Sequence, residues 1–282
     1  MTETCASLLS MTDTCASLLR MTEICASLRE IDQHVLAETA AIIQPTVRRL
    51  SIRKLETENV IHTIFSHPPV VRWRKAQGAQ TKRPPLLVLL HGRGADENDL
   101  FSLAPAIDSR IVVASVRAPL PTDEGGYTWC ESRSPGRYIG ESLRFTLTWM
   151  QTWLDSLASG RSEAQAMYLL GFSAGMAMAS ALLLDQPTRF AGAVLLSGTL
   201  PFETDISLER DRLKNVPVFH GHGSFDRVIP ADLVTRSANY LQEKSGATLQ
   251  SRHYPIAHEI SEPEINEINA WLVQDIASRL KP

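Results

Sequence analysis

Little in this sequence is extreme, and the missing extremes exclude a good deal. Its 282 residues carry 28 Lys and Arg against 31 Asp and Glu, a formal net charge of −3. A balance so near zero offers no basic surface for nucleic acid or for an anionic membrane. No apolar run approaches the eighteen or so residues that a membrane-spanning helix needs. Cysteine is scarce. Of the four, Cys5, Cys15 and Cys25 recur in a repeat and Cys130 stands alone. That spacing fits neither a zinc site nor a disulfide framework, so no metal is expected and a reducing cytoplasm is the expected compartment. The N-terminus has no basic stretch leading into an apolar one, and it carries Glu3, Asp13 and Glu23. Both features argue against a secretory signal or a transit peptide.

What is present is ordinary globular composition, 44% hydrophobic and 21% charged, in a length suited to one large α/β domain. The first thirty residues are three copies of a decapeptide, MTETCASLLS, MTDTCASLLR and MTEICASLRE. Its period suits neither a heptad nor a solenoid, and three short copies bury no core. A recent tandem duplication explains it, with Met1, Met11 and Met21 all available as starts. Residues 1–58 are expected to be a loosely attached extension, and residues 59–282 the folded domain.

Within that domain, apolar runs alternate with helical patterns. Strands are expected at 60–65, 70–74, 86–90, 111–116, 167–170, 190–198, 216–223 and 248–254. Helices are expected at 139–158, from Ala174 onward, at 230–244 and at 263–280. The unbroken run Leu86-Leu87-Val88-Leu89-Leu90 suits a strand buried on both faces. The expected class is therefore α/β, a mostly parallel central sheet with helices on both faces. After the 86–90 strand comes a His91-Gly92-Arg93-Gly94 turn, with Asp96, Glu97 or Asn98 able to cap a following helix. Residues 118–138 form a long loop, a length that is often functional.

The chain is organised around Met167-Tyr168-Leu169-Leu170-Gly171-Phe172-Ser173-Ala174-Gly175. An apolar strand runs into Gly-x-Ser-x-Gly, and a small-residue helix follows. Glycines on both sides suit a strained, crowded turn that lifts Ser173 Oγ to the top of a sheet. The bland alternative is a tight turn with an N-capping serine. A nucleophilic serine needs a base, and the base needs an acid, each on a loop after a later strand. Asp226 and His258 occupy such places. Asp226 could also be a turn cap and His258 a surface histidine. Asp232 reads as first-turn helix charge, His253 as a residue inside a strand, and His220 and His222 as structural. The backbone N–H groups of Ala174 and Arg93 are the expected oxyanion donors. Solvated surface arginine is the leading reading of the Arg93 side chain.

These residues resemble the phospholipase/carboxylesterase family of α/β-hydrolases, which includes bacterial carboxylesterases and acyl-protein thioesterases. The resemblance rests on His91-Gly92-Arg93-Gly94-Ala95-Asp96-Glu97, Ala118-Pro119, Gly126-Tyr127-x-Trp129 and Gly171-Phe172-Ser173-Ala174-Gly175. It continues in His220-Gly221-x-Gly223-x-x-Asp226-x-Val228-Ile229-Pro230 and His258-Glu259-Ile260. It implies an α/β-hydrolase fold and a Ser173–Asp226–His258 triad. It further implies no cofactor, and esters or thioesters of small carboxylic acids as substrates. It also implies short- to medium-chain acyl groups, lying against Tyr127 and Trp129 unless those rings fill the rim of the core. A longer-chain thioesterase or lysophospholipase is the nearest alternative, and an inactive binding protein on a hydrolase fold is the alternative of another class. Family members often pair as dimers, but no stretch identifies an interface. Many relatives carry glutamine where this chain has Ala174, and the extension lies outside the pattern.

Overall fold

The computed structural model describes residues 65–78, 83–159 and 166–279. The decapeptide repeat, the boundary near residue 59 and residues 60–64 of the first expected strand lie outside them. Seven strands form the main sheet. They are β1 (Val71–Arg74), β2 (Leu86–Leu90), β3 (Val112–Val116), β8 (Met167–Phe172), β9 (Gly192–Leu196), β10 (Pro217–Gly223) and β11 (Thr248–Tyr254). Their spatial order is β1-β3-β2-β8-β9-β10-β11. Every pairing is parallel except that of β1 with β3.

The apolar runs are explained by two cores. In β2 the side chains alternate across the sheet, as a strand requires. Leu86, Val88 and Leu90 join one buried cluster, and Leu87 and Leu89 the other. The first cluster takes in α1 (Gly140–Ser159), α2 (Ala174–Asp185) and α3 (Ala231–Glu243). The second is closed by α4 (Glu262–Arg279) and by a 3-10 helix at Leu100–Ala106. With both faces covered, the central strands have no polar side to show, so they read as continuous hydrophobic runs.

Two expectations change in detail. The segment after the His91–Gly94 turn is a 3-10 helix preceded by Asp99, with no side-chain cap. Pro105 inside it supplies no N–H for a longer helix. The Asp96 carboxylate instead accepts the Asn98 amide at 2.8 Å, closing a local turn. The loop 118–138 carries two small hairpins. One pairs β4 (Leu120–Pro121) with β5 (Tyr127–Thr128), and the other pairs β6 (Ser132–Ser134) with β7 (Arg137–Tyr138).

Candidate active site

The turn between β8 and α2 holds Ser173 at φ 56° and ψ −118°, a conformation L-residues rarely adopt. The flanking glycines are there because backbone crosses backbone. A Cβ on Gly171 would stand 2.2 Å from the Gly175 carbonyl oxygen, and one on Gly175 only 1.9 Å from that of Leu90. The Ser173 amide donates to the Leu196 carbonyl at 3.0 Å, tying the turn to β9.

Ser173, Asp226 and His258 lie 32 to 85 residues apart in the chain, and the fold brings them together. His258 Nε2 lies 2.9 Å from Ser173 Oγ, and His258 Nδ1 lies 2.8 Å from Asp226 Oδ2. A carboxylate beside Nδ1 fixes the proton there, which leaves Nε2 free to accept from the serine hydroxyl. The Asp226 side chain is 0% exposed, and its Oδ1 accepts the amides of Val228 at 2.8 Å and Ile229 at 3.2 Å. Burial alone would raise this carboxyl. The hydrogen bonds from His258, Val228 and Ile229 outweigh it and hold the group below the ordinary aspartate range. The Phe172 ring lies 4.9 Å from the His258 ring and flanks it.

The His91–Gly94 turn packs directly on this group. A Cβ on Gly92 would be 3.4 Å from Ser173 Cβ. The amides of the turn can be accounted for one by one. Gly94 donates to the Tyr127 carbonyl at 2.9 Å and Ala95 to the Gly92 carbonyl at 3.4 Å. The Arg93 amide has no backbone partner among the described residues. The Ala174 amide, at the first position of α2, has none within the helix. The Arg93 side chain is exposed.

Other residues singled out from the sequence fall elsewhere. Asp232 sits in the first turn of α3, 68% exposed, 3.7 Å from Arg137. His253 is exposed within β11. His220 is buried against Ser251, and burial pushes its pKa down to about 4. Cys130 is buried and its thiol is pushed up to about 12, so it is not a rival nucleophile. Trp129 requires a correction. Its ring is fully buried and its Nε1 donates to the His91 carbonyl at 2.8 Å, so no acyl group can lie against it. Tyr127 is half-buried and is engaged by Arg117, whose guanidinium carbon lies 4.8 Å from the ring centroid.

Two further histidines stand at the site: the role of His91 escaped sequence reasoning, whereas His222 was read as structural. His91 is buried, and burial lowers its pKa and keeps it neutral. Its Nε2 accepts the Ala118 amide at 3.0 Å, so Nδ1 carries the proton and donates to the Gly92 carbonyl at 2.7 Å. His222 is also buried, with Nε2 3.8 Å from Asp226 Oδ2. A histidine at the end of an apolar strand, the signal that marked His222 as structural, was available for His91 too.

A sequence model of the phospholipase/carboxylesterase family matches residues 75–276, most of the chain. The chain belongs to the phospholipase/carboxylesterase family. Among its relatives is a probable carboxylesterase SOBER1-like protein of Arabidopsis thaliana, 28% identical over 127 residues, which are 44% of this chain and 48% of that one. The chain thus spans about half the length of that relative. Another is the putative hydrolase MhqD of Bacillus subtilis, 24% identical over 192 residues, covering 68% of this chain and 94% of the relative. Among solved structures, the Bacillus cereus carboxylesterase superposes with a TM-score of 0.64 at 23% identity, covering 73% of this chain and 94% of that one. This last likeness establishes the α/β-hydrolase fold. The family's fold is thus present here, with seven strands in the main sheet and helices on both faces. No helix among the described residues is long and apolar enough to cross a membrane.

Proposed function

We propose that this chain is a serine hydrolase of carboxylic esters that works through an acyl-enzyme, on short- to medium-chain acyl groups. The observation that carries the reading is the unbroken hydrogen-bonded line from Ser173 Oγ through both nitrogens of His258 to Asp226. In the first half-reaction His258 Nε2 takes the serine proton as Oγ attacks the acyl carbonyl. The buried Asp226 carboxylate stabilises the imidazolium that forms, and the imidazolium then protonates the leaving alcohol or thiol. Water deacylates the enzyme by the same route. The amides of Arg93 and Ala174 receive the oxyanion, a contribution of roughly 3–4 kcal/mol for one such donor. The carboxylesterase and hydrolase names of the relatives agree with this chemistry. Phe225 and Val228, 63% and 49% exposed, flank Asp226 along the chain and offer apolar area for a modest acyl chain.

The test is hydrolysis of p-nitrophenyl esters of increasing acyl length by the wild type and by Ser173→Ala. Each buried CH₂ adds about 0.8 kcal/mol, so a matched chain gains roughly fourfold in kcat/KM per carbon until the apolar area is filled. The expected profile peaks at short or medium length, and Ser173→Ala removes at least about a thousandfold of it. A steady climb to long chains points instead to a deacylase of lipids or lipidated protein. Activity that survives in Ser173→Ala overturns the assignment of the nucleophile.

A further inference from the structure

Three side chains from three separate elements meet behind the turn that carries the Arg93 amide. The Glu97 carboxylate receives Arg117 Nε at 2.5 Å and Nη2 at 2.7 Å, a two-point pairing. The Arg117 guanidinium carbon stands 4.8 Å from the Tyr127 ring centroid, and Nη1 donates to the Tyr127 hydroxyl at 3.4 Å. Glu97 follows the turn, Arg117 follows β3, and Tyr127 opens β5.

The backbone of the same Tyr127 forms the other half of the arrangement. Its carbonyl accepts the Gly94 amide, and its amide donates to the Ala95 carbonyl, both at 2.9 Å. Beside it, Gly126 at φ +68° lies so close that an added Cβ would stand 2.0 Å from the Gly94 carbonyl oxygen. Of the amides that follow Arg93, that of Gly94 is taken by the Tyr127 carbonyl and that of Ala95 by the Gly92 carbonyl, while the Arg93 amide is left over. The position of that segment therefore fixes where the Arg93 N–H points. Glu97 and Arg117 in turn fix the ring of Tyr127.

We propose that the Glu97–Arg117–Tyr127 cluster is a clamp that sets the Arg93 amide for oxyanion binding, and that all three are positioning residues for ester hydrolysis. The inference rests on the esterase reading above. The pair is largely buried, its side chains 29% exposed at Arg117 and 10% at Glu97, so removing either partner also lowers stability. Placement of a transition-state donor is a more sensitive quantity, because a shift of about 1 Å can cost roughly a hundredfold in rate. Hydrogen bonding to Arg117 holds the Glu97 carboxyl below its ordinary range, so the clamp stays charged across neutral pH.

The test uses the full chain with Glu97→Gln, Arg117→Lys and Tyr127→Phe. Arg144→Gln serves as a control from a separate ion-pair network with Asp185 and Asp205. Two quantities are measured: steady-state kinetics on p-nitrophenyl acetate, and inhibition by a trifluoromethyl ketone, whose serine adduct carries the oxyanion. Glu97→Gln and Arg117→Lys are expected to lower kcat about tenfold to a hundredfold with KM within threefold. The ketone Ki should rise by the same factor. Tyr127→Phe keeps the ring and should lose no more than about fivefold. Arg144→Gln should leave kcat and Ki unchanged at whatever Tm it has. The proposal is overturned if kcat stays within twofold in both clamp variants, or if kcat falls while Ki does not. It is also overturned if the losses track Tm across all four proteins. Wild-type inactivity on every ester would instead remove the esterase reading, a different and recognisable failure.

Discussion

At the scale of single residues, Ser173 combines a chemical and a conformational demand. Its φ of 56° with ψ of −118° belongs to the region that glycine enters freely and other residues enter at a cost of about 1–3 kcal/mol. The surroundings enforce that geometry, since the amide is held by Leu196 and an added Cβ on Gly198 would come within 2.5 Å of the Ser173 carbonyl oxygen. The two inactivating substitutions should therefore differ in stability. Ser173→Gly removes the strain and loses at most about 1 kcal/mol through the freer unfolded chain. Ser173→Ala keeps the strain. Denaturant unfolding should find the glycine variant more stable than the alanine variant by about 1 kcal/mol, with both inactive. An alanine variant at least as stable would mean that the turn is relaxed and that its shape has a cause other than imposed strain.

At the scale of elements, the edge strand β1 shows how one side chain can hold a segment with little regular structure. The Arg74 guanidinium donates to the carbonyls of Ala104, Ile107, Asp108 and Ile111, along the end of the 3-10 helix and the chain leading to β3. Hydrogen bonds to a charged donor are worth about 1.5–3 kcal/mol each where the loss leaves a partner unsatisfied, and these bonds are only part-buried. Arg74→Met keeps the stem and removes the donors. It should cost about 2 kcal/mol in denaturant unfolding and speed amide exchange across residues 104–112, with kcat unchanged. Unaltered exchange there would show the segment to be held by its packing alone. The same elements show what could be read from sequence. β2, β8 and β9 were legible because burial on both faces leaves an apolar run no other strand could explain. Ser173, Asp226 and His258 were legible because each follows the C-terminal end of a strand in the order this architecture uses. Trp129 was misread because an aromatic ring in a long loop has no periodicity to show which way it faces. Glu97 was read only as a possible helix cap, and its pairing with Arg117 was missed because the two are twenty residues apart on unlike elements, with no local pattern to join them.

At the scale of the whole molecule, two buried carboxyl groups carry opposite responses to pH. Asp226 has a depressed carboxyl, so its stabilising contribution is present above the unfolded aspartate pKa of about 3.9 and is lost as pH falls through the lower folded value. Glu264 works the other way. It lies in the first turn of α4, is 1% exposed, and exchanges hydrogen bonds with Ser261 as a capping box. Its Oε1 sits where a Cβ on Gly221 would be, 2.2 Å away, pressed onto β10. Burial pushes its pKa up to about 7, with Glu267 adding to the rise and the Ser261 amide opposing it. Between the unfolded glutamate value of about 4.3 and that folded value, the native state keeps a proton that the unfolded chain has released. Stability must then fall as pH rises through this window and level off above it. At about 1.4 kcal/mol per pKa unit, the loss is about 4 kcal/mol. Urea unfolding of the wild type should show that decline between pH 5 and pH 8. Glu264→Gln retains the shape and the capping donor pair without a titrating group, so its profile should be flat over the same range. A wild-type profile as flat as that of Glu264→Gln would mean that Glu264 is ionised in the native state at pH 5. The packing of α4 on β10 would then have to accommodate a buried negative charge that no cation among the described residues neutralises.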